Sequence, residues 1–383
     1  MNGVSERKNS RIMTLEFIRA IMTGVVFLSH MEFLANYSYG SVYTRFFHNA
    51  TIGVDYFFLL SGFGLMASSY KSNSICEKSI GGGLRDGVGK IKGIYKPYII
   101  SMILMAPYVL YISIQDSGIV RGIIKTGIKF LSCGVMLQSL SGMLKFAHAF
   151  NGVGWFVSTI FVCYCLSPIL MKISRYFFNG KTKTIIRLSI TIAITAILRV
   201  LLMVVQERTV FDDISYSFPL IRVFYVLVGM SIYQLYVQRA ASNSVNENRK
   251  RLGDLQELSA VILSVIWFLT RNTIELSLSN FFVYILDLAT VSYLIYCFAN
   301  ECGMMSRVIK QSKVANLGKD MMYVYLYHYP IRIYTDLAFK KNRFILGEFT
   351  GIAEVILIFF LTLIVYKLYK RFTKKSMAGT KTG

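Results

Sequence analysis

Charge is scarce in this chain of 383 residues, and acid is the scarcest part of it: 16% of positions are charged, with 20 Asp and Glu against 42 Lys and Arg. So little charge, beside 54% hydrophobic content and a positive mean hydropathy, excludes an ordinary soluble domain and indicates a polytopic membrane protein. The excess of +22 does not indicate nucleic acid, because Lys and Arg stand in short clusters between apolar runs, as membrane topology requires. Cysteine is also sparse. Of six, Cys133, Cys163, Cys165 and Cys297 lie in apolar stretches and read as small apolar residues, not as a disulfide framework. Four histidines without ligand spacing give no metal site. A cleavable signal peptide is not expected: Arg7, Lys8 and Arg11 precede an apolar run that is too long and lacks a small-residue cleavage site. No internal repeat is visible, which weakens the case for a secondary transporter.

What is present is a series of apolar runs, at 12–34, 52–69, 94–114, 153–173, 184–206, 218–238, 257–271, 280–299, 319–338 and 348–369. They predict an all-α integral membrane protein of about ten transmembrane helices. An even number puts both termini on one side, and a cytoplasmic placement gathers the Lys/Arg-rich loops there. The segment 120–140 carries Arg121, Lys125 and Lys129 at helical spacing on one side and apolar residues on the other, so it reads as an interfacial or re-entrant helix. Residues 1–375 form one polytopic domain, and 376–383 read as a short disordered cytoplasmic tail.

The first run holds an acid, a guanidinium and an imidazole within "EFIRAIMTGVVFLSH". Ionisable residues in membrane spans usually face a bundle interior or wet cavity and are functional candidates. Glu16 lies three positions before Arg19 and can pair with it. The eleven steps from Arg19 to His30 complete almost three turns, so both share one face with Thr23, about 16 Å apart along the axis. The next run opens "GVDYFFLLSGFGLM"; Asp55, beside Phe57 and Phe58, must be paired or protonated, and Gly62 and Gly64 permit close approach of a helix or a ligand. Further along, Arg222 lies inside an apolar span and needs a partner. His328 in "YVYLYHYPI" reads as a packing residue with one hydrogen bond. His48 and His148 fall in expected outer loops, and Trp155 belongs to an interfacial belt or a platform for sugar rings.

The two opening motifs, with the Arg-x10-His spacing of Arg19 and His30 and the Phe-Phe-x-x-Ser-Gly-Phe run containing Ser61, resemble the membrane-bound acyltransferase 3 family. The likeness continues in order through "NGVGWFVSTIFVCYCLSPIL" with Trp155, "YSFPLIRVFYVLVGM" and "LGKDMMYVYLYHYPI" with His328. The resemblance implies transfer of an acyl group, commonly acetyl from acetyl-CoA, to a hydroxyl of a cell-surface or exported carbohydrate. It places the protein in a bacterial cytoplasmic membrane, with the bilayer and a carbohydrate acceptor as partners and no metal. Two departures stand out: Glu16 replaces the usual aspartate, and Lys90 and Lys92 stand where arginines are common in a cytoplasmic CoA-binding stretch. Lysine binds phosphate as a point charge, without the arginine fork.

Acyl transfer needs a base for the hydroxyl, a cation or donors for the developing oxyanion, and a site that excludes water. The expected roles are His30 as base or transient acyl carrier, Arg19 oriented by Glu16 on the thioester or its phosphates, and Asp55 orienting or tuning His30. Lys90 and Lys92 assist in holding the CoA, or serve topology alone. Ser61, Trp155, Arg222 and His328 stand in a second tier. The competing reading is an exporter or flippase of lipid-linked or polymeric glycan, using the same polar stripe for passage.

Overall fold

A computed structural model of the chain describes residues 12–47, 51–72, 80–176, 181–241, 247–275, 280–312, 316, 318, 320–342 and 347–379. The long apolar runs form α1 (Met13–Ser29), α2 (Thr51–Ser72), α3 (Ile80–Ser117), α4 (Ile119–Gly134), α5 (Gly154–Cys165), α6 (Ser167–Tyr176), α7 (Lys181–Arg208) and α8 (Pro219–Ala241). Then come α9 (Glu247–Glu275), α10 (Asn280–Ala299), α11 (Met304–Gln311), α12 (Met321–Asn342) and α13 (Phe349–Gly379). The described residues are thus all-α, and α13 continues into the segment expected to be a tail. Among the described residues seven helices are long and apolar enough to cross a membrane, or eight crossings result if α5 and α6, bent by 59°, make one. Of the ten expected spans, α1 and α12 are not among these: α1 has 17 residues, and α12 mixes tyrosine with Arg332 and Asp336.

Neighbouring helices keep consistent directions. The parallel pair α2 and α8 advances together through Asp55–Arg222, Phe58–Tyr225 and Phe63–Tyr233. Its crossing depends on two glycines: a Cβ on Gly62 would overlap the carbonyl of Val226, and one on Gly229 that of Leu59. Gly64 has open space where a Cβ would stand, so the two neighbouring glycines of the motif serve different ends. α1 and α12 are also parallel, with Gly318 at the Glu16 end and His328 at the His30 end.

The segment expected at 120–140 as an interfacial or re-entrant helix packs lengthwise on the helix before it. α4 folds back antiparallel along α3, with Gly122 against Ile114 at one end and the Cys133 carbonyl receiving the Tyr98 hydroxyl at the other. α5 then continues the same descent: Gly154 lies beside Tyr98, and Cys165 beside Gly83 and Gly87. At about 1.5 Å per residue neither α4 nor α5 reaches 30 Å, whereas α3, with 38 residues, is long enough to back both. The connection 135–153 lies at the break between them.

The span drawn at 257–271 is part of a longer helix, which extends past it at both ends as Glu247–Glu275. Arg271 is 3% exposed and makes a bidentate pair with Asp287 of α10 at 2.8 and 2.9 Å, so it belongs inside the bundle.

Candidate active site

Glu16, Arg19 and Thr23 share one face of α1, as their helical spacing requires. Arg19 Nη1 donates to Glu16 Oε2 at 2.7 Å, and the Thr23 hydroxyl donates to the Arg19 carbonyl at 2.9 Å. Arg19 and Thr23 line a cavity of about 500 Å³ with Ser61 and Gly64 of α2, Lys90 of α3, and Tyr164 of α5. That volume lies within the range of small-molecule and cofactor sites. Lys92 is exposed and is not among the lining residues. Two cations stand at the wall, while Phe57, Phe156 and Tyr325 supply an apolar end. The arrangement suits a long ligand with an anionic part and a less polar part.

His30 lies beyond that apolar end. Tyr325 packs against Phe156 and Phe57 on the cavity side, at 5.5 and 6.3 Å between ring centroids, and against His328 at 6.1 Å on the other. His328 Nε2 is 3.2 Å from His30 Nδ1. Each imidazole also places Nδ1 on the carbonyl four residues before it, His30 on Val26 at 2.8 Å and His328 on Val324 at 3.0 Å. His328 is buried and His30 half-buried, with the Tyr329 ring set edge-on to His30 at 5.7 Å. The histidine read as a packing residue of the second tier is therefore the direct neighbour of the one expected to act.

The break between α4 and α5 reaches the same place. Asn151 donates to the Leu326 carbonyl at 3.1 Å and to the Ser101 hydroxyl at 2.9 Å; Gly152 faces the Tyr329 ring, and the Tyr325 hydroxyl donates to the Val153 carbonyl at 3.1 Å. Nothing in the string of letters 135–153 announced that role, because it depends on where the descent is interrupted.

Asp55, expected to orient or tune His30, is paired elsewhere. Its carboxylate pairs with Arg222 Nη1 at 2.7 Å, with both side chains 0% exposed. The Arg222 Nε donates to the Tyr216 carbonyl at 2.7 Å, and its guanidinium lies 4.6 Å from the Tyr225 ring, 4.8 Å from Tyr216, 5.0 Å from Phe58 and 5.8 Å from Trp155. Trp155 is 4% exposed, so it is neither an interfacial belt residue nor an open sugar platform here. Arg199 of α7 joins the cluster through the Tyr225 hydroxyl at 2.8 Å. His148 sits 3.4 Å from Asp213 and 6.1 Å from the Trp155 ring, half-covered; His48 lies outside the described residues. Sequence reasoning passed over Arg199, Arg271 and Asp287, although the rule that singled out Asp55 and Arg222, an ionisable group inside an apolar run, applies to all three.

Among the described residues no three His, Cys, Asp or Glu side chains come together to hold a metal ion. A protein-family model described as an acyltransferase domain matches residues 14–366, spanning every element from α1 into α13. Neither a curated protein nor a solved structure matches the chain closely enough to be compared.

Proposed function

As the chain belongs to the membrane-bound acyltransferase 3 family, whose model covers nearly its full length, it is a membrane-embedded acyltransferase, and we propose the donor, acceptor, orientation and residue roles as follows. The donor is acetyl-CoA, entering the Arg19–Lys90 cavity from the cytoplasm, and the acceptor is a hydroxyl of a cell-surface or exported carbohydrate approaching from the other side. The observation that carries this reading is the cavity itself. Arg19 and Lys90 give it two cations for phosphate or a polarised thioester carbonyl, and its apolar end stops at the ring of Tyr325, next to the histidine pair.

Both ends of the chain face the cytoplasm and ten segments cross, with α1 and α12 among them. Helix directions support the count. α2 and α8 run parallel, which requires an odd number of crossings between them; α3, the joint descent of α4 to α6, and α7 supply three. An independent crossing by α4 would make the number even and the pair antiparallel.

His30 takes the proton from the acceptor hydroxyl as the oxygen attacks the thioester carbonyl, or carries the acyl group between donor and acceptor. In the direct route the new C–O bond forms, the C–S bond breaks, and the proton passes from His30 to the departing thiolate. Arg19, fixed by Glu16, holds the donor through charge-assisted hydrogen bonds. Purified protein in nanodiscs with radiolabelled acetyl-CoA and acceptor polysaccharide tests the assignment. Label transfer lost in His30→Ala at equal folded protein supports it, and undiminished transfer overturns it.

A further inference from the structure

The hydrogen-bond pattern around the two imidazoles is a chain with one consistent direction. A carbonyl oxygen can only accept, so His328 carries its proton on Nδ1, facing Val324, and a neutral ring then leaves Nε2 as an acceptor. That acceptor faces His30 Nδ1 at 3.2 Å, and the Val26 carbonyl faces the same nitrogen at 2.8 Å. Two acceptors around one nitrogen require it to be the protonated one. The neutral His30 ring therefore keeps its lone pair on Nε2, the nitrogen that no hydrogen bond from the described residues occupies.

We propose that His328 is a positioning residue for acyl transfer: through its Nε2 it holds His30 in the Nδ1–H tautomer and fixes the ring so that the basic Nε2 is presented to the reacting hydroxyl. Carboxylates commonly orient imidazole in this way, and here a neutral imidazole from a helix 298 residues away takes the place of the expected Asp55. When His30 accepts the substrate proton it becomes a cation with Nδ1–H still directed at two acceptors, so the charge is stabilised without a change of partner. His328 is itself locked on four sides, by the Val324 carbonyl, the Phe27 ring at 5.6 Å, the Tyr325 ring at 6.1 Å and His30. Its own rotation is blocked, as a positioning group requires. The inference rests on the proposal that His30 acts at the reacting centre, and it adds which nitrogen acts and what holds it.

The test compares His328→Phe, His328→Gln and His30→Ala in nanodiscs at equal folded protein, reading kcat and KM for acetyl-CoA. Phenylalanine fills the site without an acceptor; glutamine places an amide oxygen near the position of Nε2. His328→Phe is expected to lower kcat by about tenfold or more, a part of the 10²- to 10⁴-fold worth of general-base catalysis, with KM unchanged because His328 does not line the donor cavity. His328→Gln is expected to recover most of kcat. If His328→Phe does not fold, His328→Leu takes its place. A phenylalanine variant as fast as the parent, or phenylalanine and glutamine variants equally slow, overturns the positioning role while leaving His30 in place. Full activity of His30→Ala overturns the assignment of His30 itself, and the two failures are thereby distinguished.

Discussion

Asp55→Asn separates a catalytic role for this carboxylate from a structural one. The substitution keeps the size of the side chain and removes its charge, so Arg222 loses its ionic partner while both positions remain 0% exposed. Breaking a buried pair from one side costs about 3–5 kcal/mol, because the remaining charge stays buried and uncompensated. Arg222 would keep its bond to the Tyr216 carbonyl and its contacts with the faces of Tyr225, Tyr216 and Phe58, each worth about 0.5–2 kcal/mol. The lower end, about 3 kcal/mol, is therefore expected, and at about 2 °C per kcal/mol for a large domain the thermal midpoint falls by about 6 °C. The double variant Asp55→Leu with Arg222→Met removes both charges and is expected to recover most of that loss, since apolar replacement of a whole buried pair is often neutral. Size-exclusion after graded heating in detergent measures all three proteins, and label transfer is normalised to the folded fraction. If Asp55→Asn kept the parental midpoint and lost acyl transfer, the carboxylate would act on the chemistry and the structural argument would be refuted.

Gly62→Ala is expected to reduce folded yield sharply, because its methyl group overlaps the Val226 carbonyl, whereas Gly64→Ala folds normally and Gly64→Phe fills the donor cavity and raises KM for acetyl-CoA; steady-state kinetics beside expression level checks all three. Arg19→Gln is expected to raise that KM by about 10- to 100-fold, the equivalent of a charge-assisted hydrogen bond of about 1.5–3 kcal/mol, and an unchanged KM would remove Arg19 from donor binding. Glu348 receives the Ser38 N–H at 2.8 Å, which holds its carboxyl below the ordinary 4.5. A lowered carboxyl value contributes stability above its unfolded value and loses it as pH falls through the folded one. The protection of the Ser38 amide, its exchange rate taken relative to the intrinsic rate at the same pH, should therefore fall on acidification below about 4.5 and in Glu348→Gln at neutral pH.

Local features of this chain were legible in its letters, and long-range partners were not. The Glu16–Arg19 pair follows from a three-residue separation on one helix, and the apolar runs gave the helices, because both depend only on helical period. Asp55 was correctly marked as needing a partner, but the partner lies 167 positions away and is chosen by how α2 crosses α8. The contact of His328 with His30 was hidden for the same reason: its aromatic surroundings in sequence are shared by many packing residues, and only the parallel docking of α12 on α1 brings it to His30. Arg271 was taken for the end of a span because its partner, Asp287, belongs to the following helix.

The interrupted descent of α4 and α5 explains how a rigid site is held at a depth where backbone groups have little access to water. Leaving helix geometry there exposes donors and acceptors that must be satisfied by protein. Side chains of the break and its neighbours meet part of that demand: Gln138 Nε2 donates to the Tyr98 hydroxyl at 3.0 Å and the Gly154 carbonyl at 3.3 Å, the Ser139 amide donates to the Ser158 hydroxyl at 3.1 Å, and Asn151 donates to Ser101 and Leu326. The Asn151–Leu326 bond, and the Tyr325 hydroxyl donating to the Val153 carbonyl, tie the break to α12 in the turn that carries Tyr325 and His328. Because Asn151 and Val153 grip residues 326 and 325, they resist rotation of α12 about its own axis, and a rotation of one residue, about 100°, would carry His328 away from His30. The break thus fixes the azimuth of the helix that fixes the imidazole, while α1 supplies Arg19 to the cavity and His30 to the pair from one continuous face.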